Sequence, residues 1–390
     1  MQVNNVQALG LNLCYSYVDL ILSENIGRFE YQMHLKLNGG AFNGNLANSL
    51  TNLSWIFWSQ PSPIFLKGVN VHTKYVVFIT ISHNDLMDDS TLQSIIKMAA
   101  KLKVLSLESC HGIIRTPDFF GCPNLERLTF KRCSNLRRID CSISKLKCLI
   151  YLRIYDCFAL EDLPEEIGDL LNLQHFSVQQ CKVKKLPDSI WNCKLLREVH
   201  FESRFDDLDS ANSWELPSTM GRLQNLEVLI VNNEYLKGQL PSRIGSLPFL
   251  RILDLSYSCV SEVPRTINKL PCLQRLKLRE CNKIQELSVL PTSLTHLVVS
   301  SKLLRATPDL SNLTNLVELD LEGGEGGRGN KLCNARLWWI GWSPELTKSR
   351  FGRQNVPAPA KLASLPPLNQ LDSYGLDLRN YPQLPLPLQK

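Results

Sequence analysis

The 390-residue chain contains no Gly-Lys dipeptide, and therefore no Gly-Lys-Ser/Thr loop of the kind that cradles phosphates. It has 13 cysteines but no Cys-x-x-Cys pair, so neither a zinc ribbon nor a dithiol redox motif is written in it. The opening "MQVNNVQALGLNLCYSYVDL" lacks a basic start followed by a continuous apolar run, and reads as neither a secretory signal nor a membrane span. Lys and Arg do not gather into a run. With a net charge of +6 and basic residues interleaved with acidic ones, nucleic acid and membrane are not expected as partners. These absences favour the cytoplasm or nucleus, with cysteines reduced and buried. His111, His175, His200 and His296 are scattered, with no Ser or Cys placed beside them by a motif, and solvated imidazoles suffice to explain them. No catalytic residue, cofactor or metal is therefore expected, nor an enzyme.

What the chain does contain is repetition. The leading residue of a Leu-x-x-Leu-x-Leu frame falls at Leu102, Leu125, Leu149, Leu173, Leu196, Leu226, Leu250, Leu273, Leu294 and Leu316. The steps are 21–24 residues, except for one of 30 that holds "SRFDDLDSANSW" between Ser203 and Trp214. Upstream, Leu35 and Leu37, Ile56 or Phe57, and Ile79 and Ile81 continue the phase more weakly. This period is that of one short strand and a return segment per repeat, stacked so that alternate strand residues enter a shared core. The fold class expected is α/β: a leucine-rich repeat solenoid, or horseshoe, with a parallel concave β-sheet and irregular or short helical convex segments. Residues 1–30 read as a degenerate cap or remnant, 31–334 as about 13 coils, the first three irregular, and 335–390 as a Trp-containing, then Pro-rich flexible tail.

Two phrases recur within the coils. "LERLTFKRC", "LIYLRIYDC", "LQHFSVQQC" and "LQRLKLREC" all end on cysteine, giving Cys133, Cys157, Cys181 and Cys281 one structural address, which Cys110 shares. At a sharp turn out of a strand, an Asn or Cys side chain can meet stranded backbone groups; the thiol does so as a small, mostly apolar group with a weak donor. Five thiols in a line, one per coil, do not converge as metal ligands must. The second phrase is Leu-Pro-x-x-Ile, as in "LPEEIGDL" from Leu163 and "LPSRIGSL" from Leu240, where proline opens the convex segment and Ile returns to the core.

The run "LKVLSLESCHGIIRTPDFFGCPNLERLTFKRCSNLRRI" from Leu102 to Ile139, together with the Leu-Pro-x-x-Ile-Gly coils, resembles the leucine-rich repeat region of plant intracellular immune receptors. The closest class is the one with a Toll/interleukin-1 receptor-like domain and a nucleotide-binding switch. "TPDFFGCPNLERL" at Thr116 to Leu128 is the most specific part, and the resemblance covers about 31 to 322. It implies a protein-interaction module of disease resistance, whose partner is a pathogen-derived or guarded host protein, or the receptor's own nucleotide-binding switch domain. The switch itself is not expected here, since its phosphate loop is lacking. Two alternatives share the coils: an extracellular repeat receptor or inhibitor, suggested by "LKGQLPSRIGSL", and a cytosolic scaffold for signalling GTPases.

Recognition is expected on the outward residues of the strands. Those singled out are Arg127 and Lys131; Tyr151, Arg153 and Tyr155; Glu198, His200 and Glu202; Arg275, Lys277 and Arg279; and Glu318, Asp320 and Glu322. Exposed Tyr beside Arg is a pairing enriched at interface hot spots. The last two triplets read as separate patches of opposite sign. The glycines from Gly323 to Gly329 read as a linker, and "LPPL" and "LPLPL" near the C-terminus as remnants more than as polyproline ligands.

Overall fold

A computed structural model describes residues 8–12, 20–22, 34–38, 41–43, 54–59, 75–85, 87–97, 99–203, 213–305, 308–310, 312–323 and 335–338. The strands are β1 (Ala8–Asn12), β2 (Leu20–Leu22), β3 (His34–Asn38), β4 (Ala41–Asn43), β5 (Trp55–Ser59), β6 (Phe78–Ser82), β7 (Val104–Glu108), β8 (Arg127–Lys131), β9 (Tyr151–Tyr155) and β10 (His175–Cys181). They continue with β11 (Glu198–Ser203), β12 (Val228–Asn232), β13 (Lys237–Gln239), β14 (Ile252–Asp254), β15 (Cys259–Glu262), β16 (Arg275–Leu278), β17 (His296–Ser301), β18 (Glu318–Gly323) and β19 (Ala335–Trp338).

Fifteen of these form one sheet in the order β1-β3-β5-β6-β7-β8-β9-β10-β11-β12-β14-β16-β17-β18-β19. Every neighbouring pair is parallel except the last, β18 with β19. Two short parallel pairs, β2 with β4 and β13 with β15, lie outside it. The chain is a leucine-rich repeat solenoid. The sheet runs past both limits read from the sequence: β1 pairs with β3 from Ala8↔His34, and β19 pairs with β18, so residues 8–12 and 335–338 are strands. Hydrogen bonding along a sheet edge needs only extended backbone, and β19 carries no leucine frame, whereas β1 sets Leu9 and Leu11 in register with Leu35 and Leu37. The chain divides into two units, Met1–Trp338 and Trp339–Lys390, and the second, with both proline phrases and most of "LWWIGW", lies outside the described residues. So do residues 204–212 of the long step and 324–334 around the glycine cluster.

The core follows from the period of two. Leu105, Leu128, Leu152, Phe176, Val199, Leu229, Leu253, Leu276 and Leu297 align across successive strands and are fully buried, and each is flanked by residues on the opposite face. In β5 the inward residue is Ile56, aligned with Leu35 and Ile79; Phe57 faces outward with Lys36 and Thr80. Burying such side chains contributes roughly 1.5–3 kcal/mol each before the entropy of ordering the chain is counted.

In five coils a left-handed residue at or just after the strand end is followed by the cysteine. Ser109, Arg132, Asp156, Gln180 and Glu280 have φ between 52° and 56°, and the thiols after them are fully buried. The sulfur reaches the carbonyl two residues back, as in Cys133 Sγ to Lys131 O (3.6 Å) and Cys181 Sγ to Gln179 O (3.3 Å). It also reaches the previous coil: Cys133 Sγ to Leu107 O (3.7 Å), Cys157 Sγ to Phe130 O (3.9 Å) and Cys281 Sγ to Leu255 O (3.1 Å). Where the thiol is missing, Asn84 and Ser258 follow left-handed His83 and Tyr257, and Asn84 Oδ1 accepts from the Met87 N–H at 3.1 Å.

The return segments are short 3-10 turns at Cys141–Lys145, Glu165–Asp169, Asp188–Asn192, Ser218–Arg222, Ser242–Ser246 and Arg265–Lys269. Pro164, Pro187, Pro217, Pro241 and Pro264 precede five of them with φ from −63° to −78°, where no helical N–H is missed. One coil uses an α-helix instead, α1 (Asp89–Lys97), capped by Asp88 Oδ1 accepting from the Thr91 N–H at 2.8 Å.

Candidate functional site

The turns and return segments leave one continuous surface of side chains, the open face of the sheet. Its residues stand in register from coil to coil, so each outward side chain has a neighbour about 4.8 Å away on either side. Arg127, Tyr151, His175 and Glu198 make one such row. The Arg127 guanidinium lies 4.5 Å from the Tyr151 ring centre, and that ring sits 5.9 Å from the His175 imidazole. His175 Nδ1 is in turn 3.1 Å from Glu198 Oε2. His200, two residues on and on the same face, brings Nε2 to 3.8 Å from the same oxygen.

A carboxylate flanked by two imidazoles strongly favours its charged form: His175 first, then His200, hold Glu198 at about 2 against the opposing effect of burial. Glu202 behaves in the opposite sense, its carboxyl raised chiefly by burial. His175 and His200 are therefore paired through Glu198. The scatter read from the sequence fails here, because the parallel register sets His175 opposite Glu198, and residues 198 and 200 share a face by the period of two.

The other expected residues also face outward. In β9, Arg153 is exposed with its guanidinium 5.5 Å from the Tyr155 ring centre, and Tyr151 and Tyr155 are half-buried. Lys131 is engaged by Glu108 at 2.8 Å. Arg275 and Lys277 lie outward on β16, but the strand ends at Leu278, and Arg279 leans across β17 to donate from Nη2 to Asp320 Oδ2 at 3.2 Å. His296 Nε2 lies 3.9 Å from Glu318 Oε2. The basic and acidic triplets thus meet over a single intervening strand and offset one another in part. Two separate patches of opposite sign do not describe them, since side chains as long as Arg span one strand spacing. Glu322 is exposed beside Ser300, whose hydroxyl lies 3.3 Å from Glu322 Oε2.

Two features of this face were missed by weighing charge alone. Trp55, Phe57, Phe78 and Val104 put apolar groups outward near the N-terminal end, with Lys36 Nζ 5.3 Å from the Phe57 ring centre. Val228, Ile230 and Ile252, half-buried on the open face of β12 and β14, form a second apolar area between acidic β11 and basic β16. The signal for both was present: β-branched or aromatic residues at the outward phase of a strand, where most coils carry polar ones.

No family model matches the chain. By sequence it is similar to TMV resistance protein N of Nicotiana glutinosa, 31% identical over 224 residues, which cover 51% of this chain and 19% of that protein. It is also similar to disease resistance protein RPP4 of Arabidopsis thaliana, 25% identical over 269 residues, covering 68% of this chain and 20% of that one. The chain thus spans about a fifth of the length of these curated relatives. Among solved structures it is similar in fold to the repeat protein of the TLR13-ssRNA13 complex, with a TM-score of 0.55 at 17% identity, covering 83% of this chain and 49% of that one.

Proposed function

Starting from a leucine-rich repeat solenoid whose sequence relatives are plant disease-resistance proteins, we propose that the chain is a non-enzymatic protein-interaction module of plant innate immunity. Its partner is a pathogen-derived protein or a guarded host protein, and in a receptor of the related class the same face restrains the nucleotide-binding switch domain. The observation that carries this reading is the open face itself. Fifteen strands in register hold a row of Arg127, Tyr151, His175 and Glu198 pre-ordered by ring and ion-pair contacts, so little side-chain entropy is left to lose on binding. Exposed Arg and Tyr are the residue types that most often dominate binding energy. Cytoplasmic action fits the reduced, buried thiols.

The test is made in leaf tissue with the full chain. Co-expressed with a nucleotide-binding fragment of a related resistance protein that triggers cell death alone, the chain should suppress that death and co-purify with the fragment. Reversal of the outward charges in Arg275→Glu/Lys277→Glu, or removal of the stack in Tyr151→Ala/Arg153→Ala, should weaken suppression with an unchanged melting temperature. If both double variants bind and suppress as the parent does, the open face is not the interaction surface.

A further inference from the structure

The apolar area on β12 and β14 lies between flanks of opposite charge. Glu198, His200 and Glu202 stand outward on β11, and Arg275 and Lys277 on β16; between them Val228, Ile230 and Ile252 put apolar groups outward, beside Asn232 at the end of β12 and the buried Asp254 of β14. We propose that this stretch of the open face binds an extended protein segment running across the strands, which presents a cationic side chain to β11, apolar side chains to β12 and β14, and an anionic group to β16. The inference rests on the reading of the open face as a protein-binding surface and fixes where on it, and to what chemistry, binding occurs.

Three lines of geometry support that occupant. From β11 to β16 there are three strand spacings, or about 14 Å, which an extended segment covers in about four residues. The basic flank retains cations to offer: Arg279 is engaged by Asp320, while Arg275 and Lys277 form no ion pair among the described residues. Asp254, next to Lys277 in the register, is buried and accepts from the Ser256 N–H at 3.0 Å, so it leaves the Lys277 ammonium only partly offset. On the other flank, Glu198 is charged but already paired with His175 and His200, whereas the half-buried Glu202, disfavoured as a carboxylate chiefly by burial, gains from any cation brought beside it. An apolar centre that excludes water strengthens both outer charge pairs, as in interfaces whose energy is concentrated in a desolvated middle.

The full chain is offered to a phage-displayed random dodecapeptide library, and enriched sequences are resynthesised with a fluorescent label. Enriched peptides should place Lys or Arg about four positions from Asp or Glu, with apolar residues between. Ile230→Asp should weaken the labelled peptide at least about tenfold. Because that variant could perturb the coil, Arg275→Glu/Lys277→Glu, whose side chains are half-buried on the outward face, is first checked for an unchanged melting temperature, then selected in parallel, and should lose the acidic end of the pattern. Enriched peptides without the charge pair, or peptides indifferent to both variants yet abolished by Tyr151→Ala/Arg153→Ala, would overturn the proposal while leaving the wider interaction reading standing. A library that yields no binder overturns it too. Failure of the leaf co-purification, by contrast, would remove the wider reading.

Discussion

At the scale of single residues, the buried thiols and the Glu198 carboxylate make the sharpest commitments. Cys157 is pushed above the ordinary thiol value by the Cys133 and Cys181 sulfurs on either side and by burial, and burial pushes Cys281 up to about 11. Cys157 and Cys281 therefore stay protonated near neutrality, while Cys133, whose thiol the Cys110 and Cys157 sulfurs lower instead, and Cys181 are kept from reagents by complete burial. Labelling without denaturant should leave Cys133, Cys157 and Cys181 unmodified while the exposed Cys141 and Cys148 react. Cys157→Asp would place an unpaired charge at a site with no access to water, and a loss of about 3–5 kcal/mol in urea unfolding is expected. Glu198 has a folded-state value of about 2, below its ordinary 4.5, so it stabilises the fold above about 4.5 and that contribution disappears as the pH falls toward 2. Glu198→Gln should therefore flatten the acid side of the stability profile over that window; a variant with an unchanged acid limb would show that the histidines do not hold the carboxylate. The cysteine role was legible in the sequence because one residue type recurred at one address. The His175–Glu198–His200 contact was not, because it depends on which residues stand opposite one another in adjacent coils.

At the scale of elements, the return segments impose a constraint that the leucine frame does not reveal. A Cβ added at Gly168 would lie 2.5 Å from Ser189 O in the next turn, and one at Gly245 2.3 Å from Thr266 O. The glycine after Ile in Leu-Pro-x-x-Ile-Gly is thus a spacer that lets one 3-10 turn stack on the next. Gly168→Ala and Gly245→Ala should each cost about 1–3 kcal/mol through overpacking, whereas Asp169→Ala, exposed in the same turn, should fall within about 0.5 kcal/mol of the parent. Equal losses at all three would mean that helical propensity, not close approach, governs these turns. Strand positions were readable because burial alternates with a period of two, and turn positions because proline punctuates them. The outer limits of the sheet were not: β19 joins by antiparallel backbone pairing without the pattern of the middle coils, and the in-phase Leu9 and Leu11 of β1 are too short a signal to stand out alone.

At the scale of the whole molecule, a stacked array has no contacts between distant coils, so its stability is approximately a sum over neighbours. Leu276→Asp, on the buried side of β16, should expose the amides of β14 through β18 to hydrogen exchange while those of β7 through β10 keep most of their protection. Uniform loss across the sheet would indicate one cooperative unit. The same linear build explains why the fold was evident in the sequence and the binding face only in part: the core is specified coil by coil, but the face is a property of rows that cross the coils. Tyr151, Arg153 and Tyr155 sit within one strand and could be found by spacing, whereas the area around Ile230 needs two strands at once.

Rows that cross coils also make the open face a ruler with fixed graduations. Excising one whole coil, Val228 to Arg251, would rejoin β11 directly to the strand beginning at Ile252 and bring the two charged flanks nearer by one graduation, about 4.8 Å, with the core seam still matched. Duplicating that coil would move them apart by the same amount. Unequal crossing-over between repeats in a gene can therefore reset the length of segment the face accepts in discrete steps, without the intermediate, misfolded forms that gradual change would demand. Point substitutions then adjust the groups at each mark, so the two kinds of mutation tune separate variables of recognition.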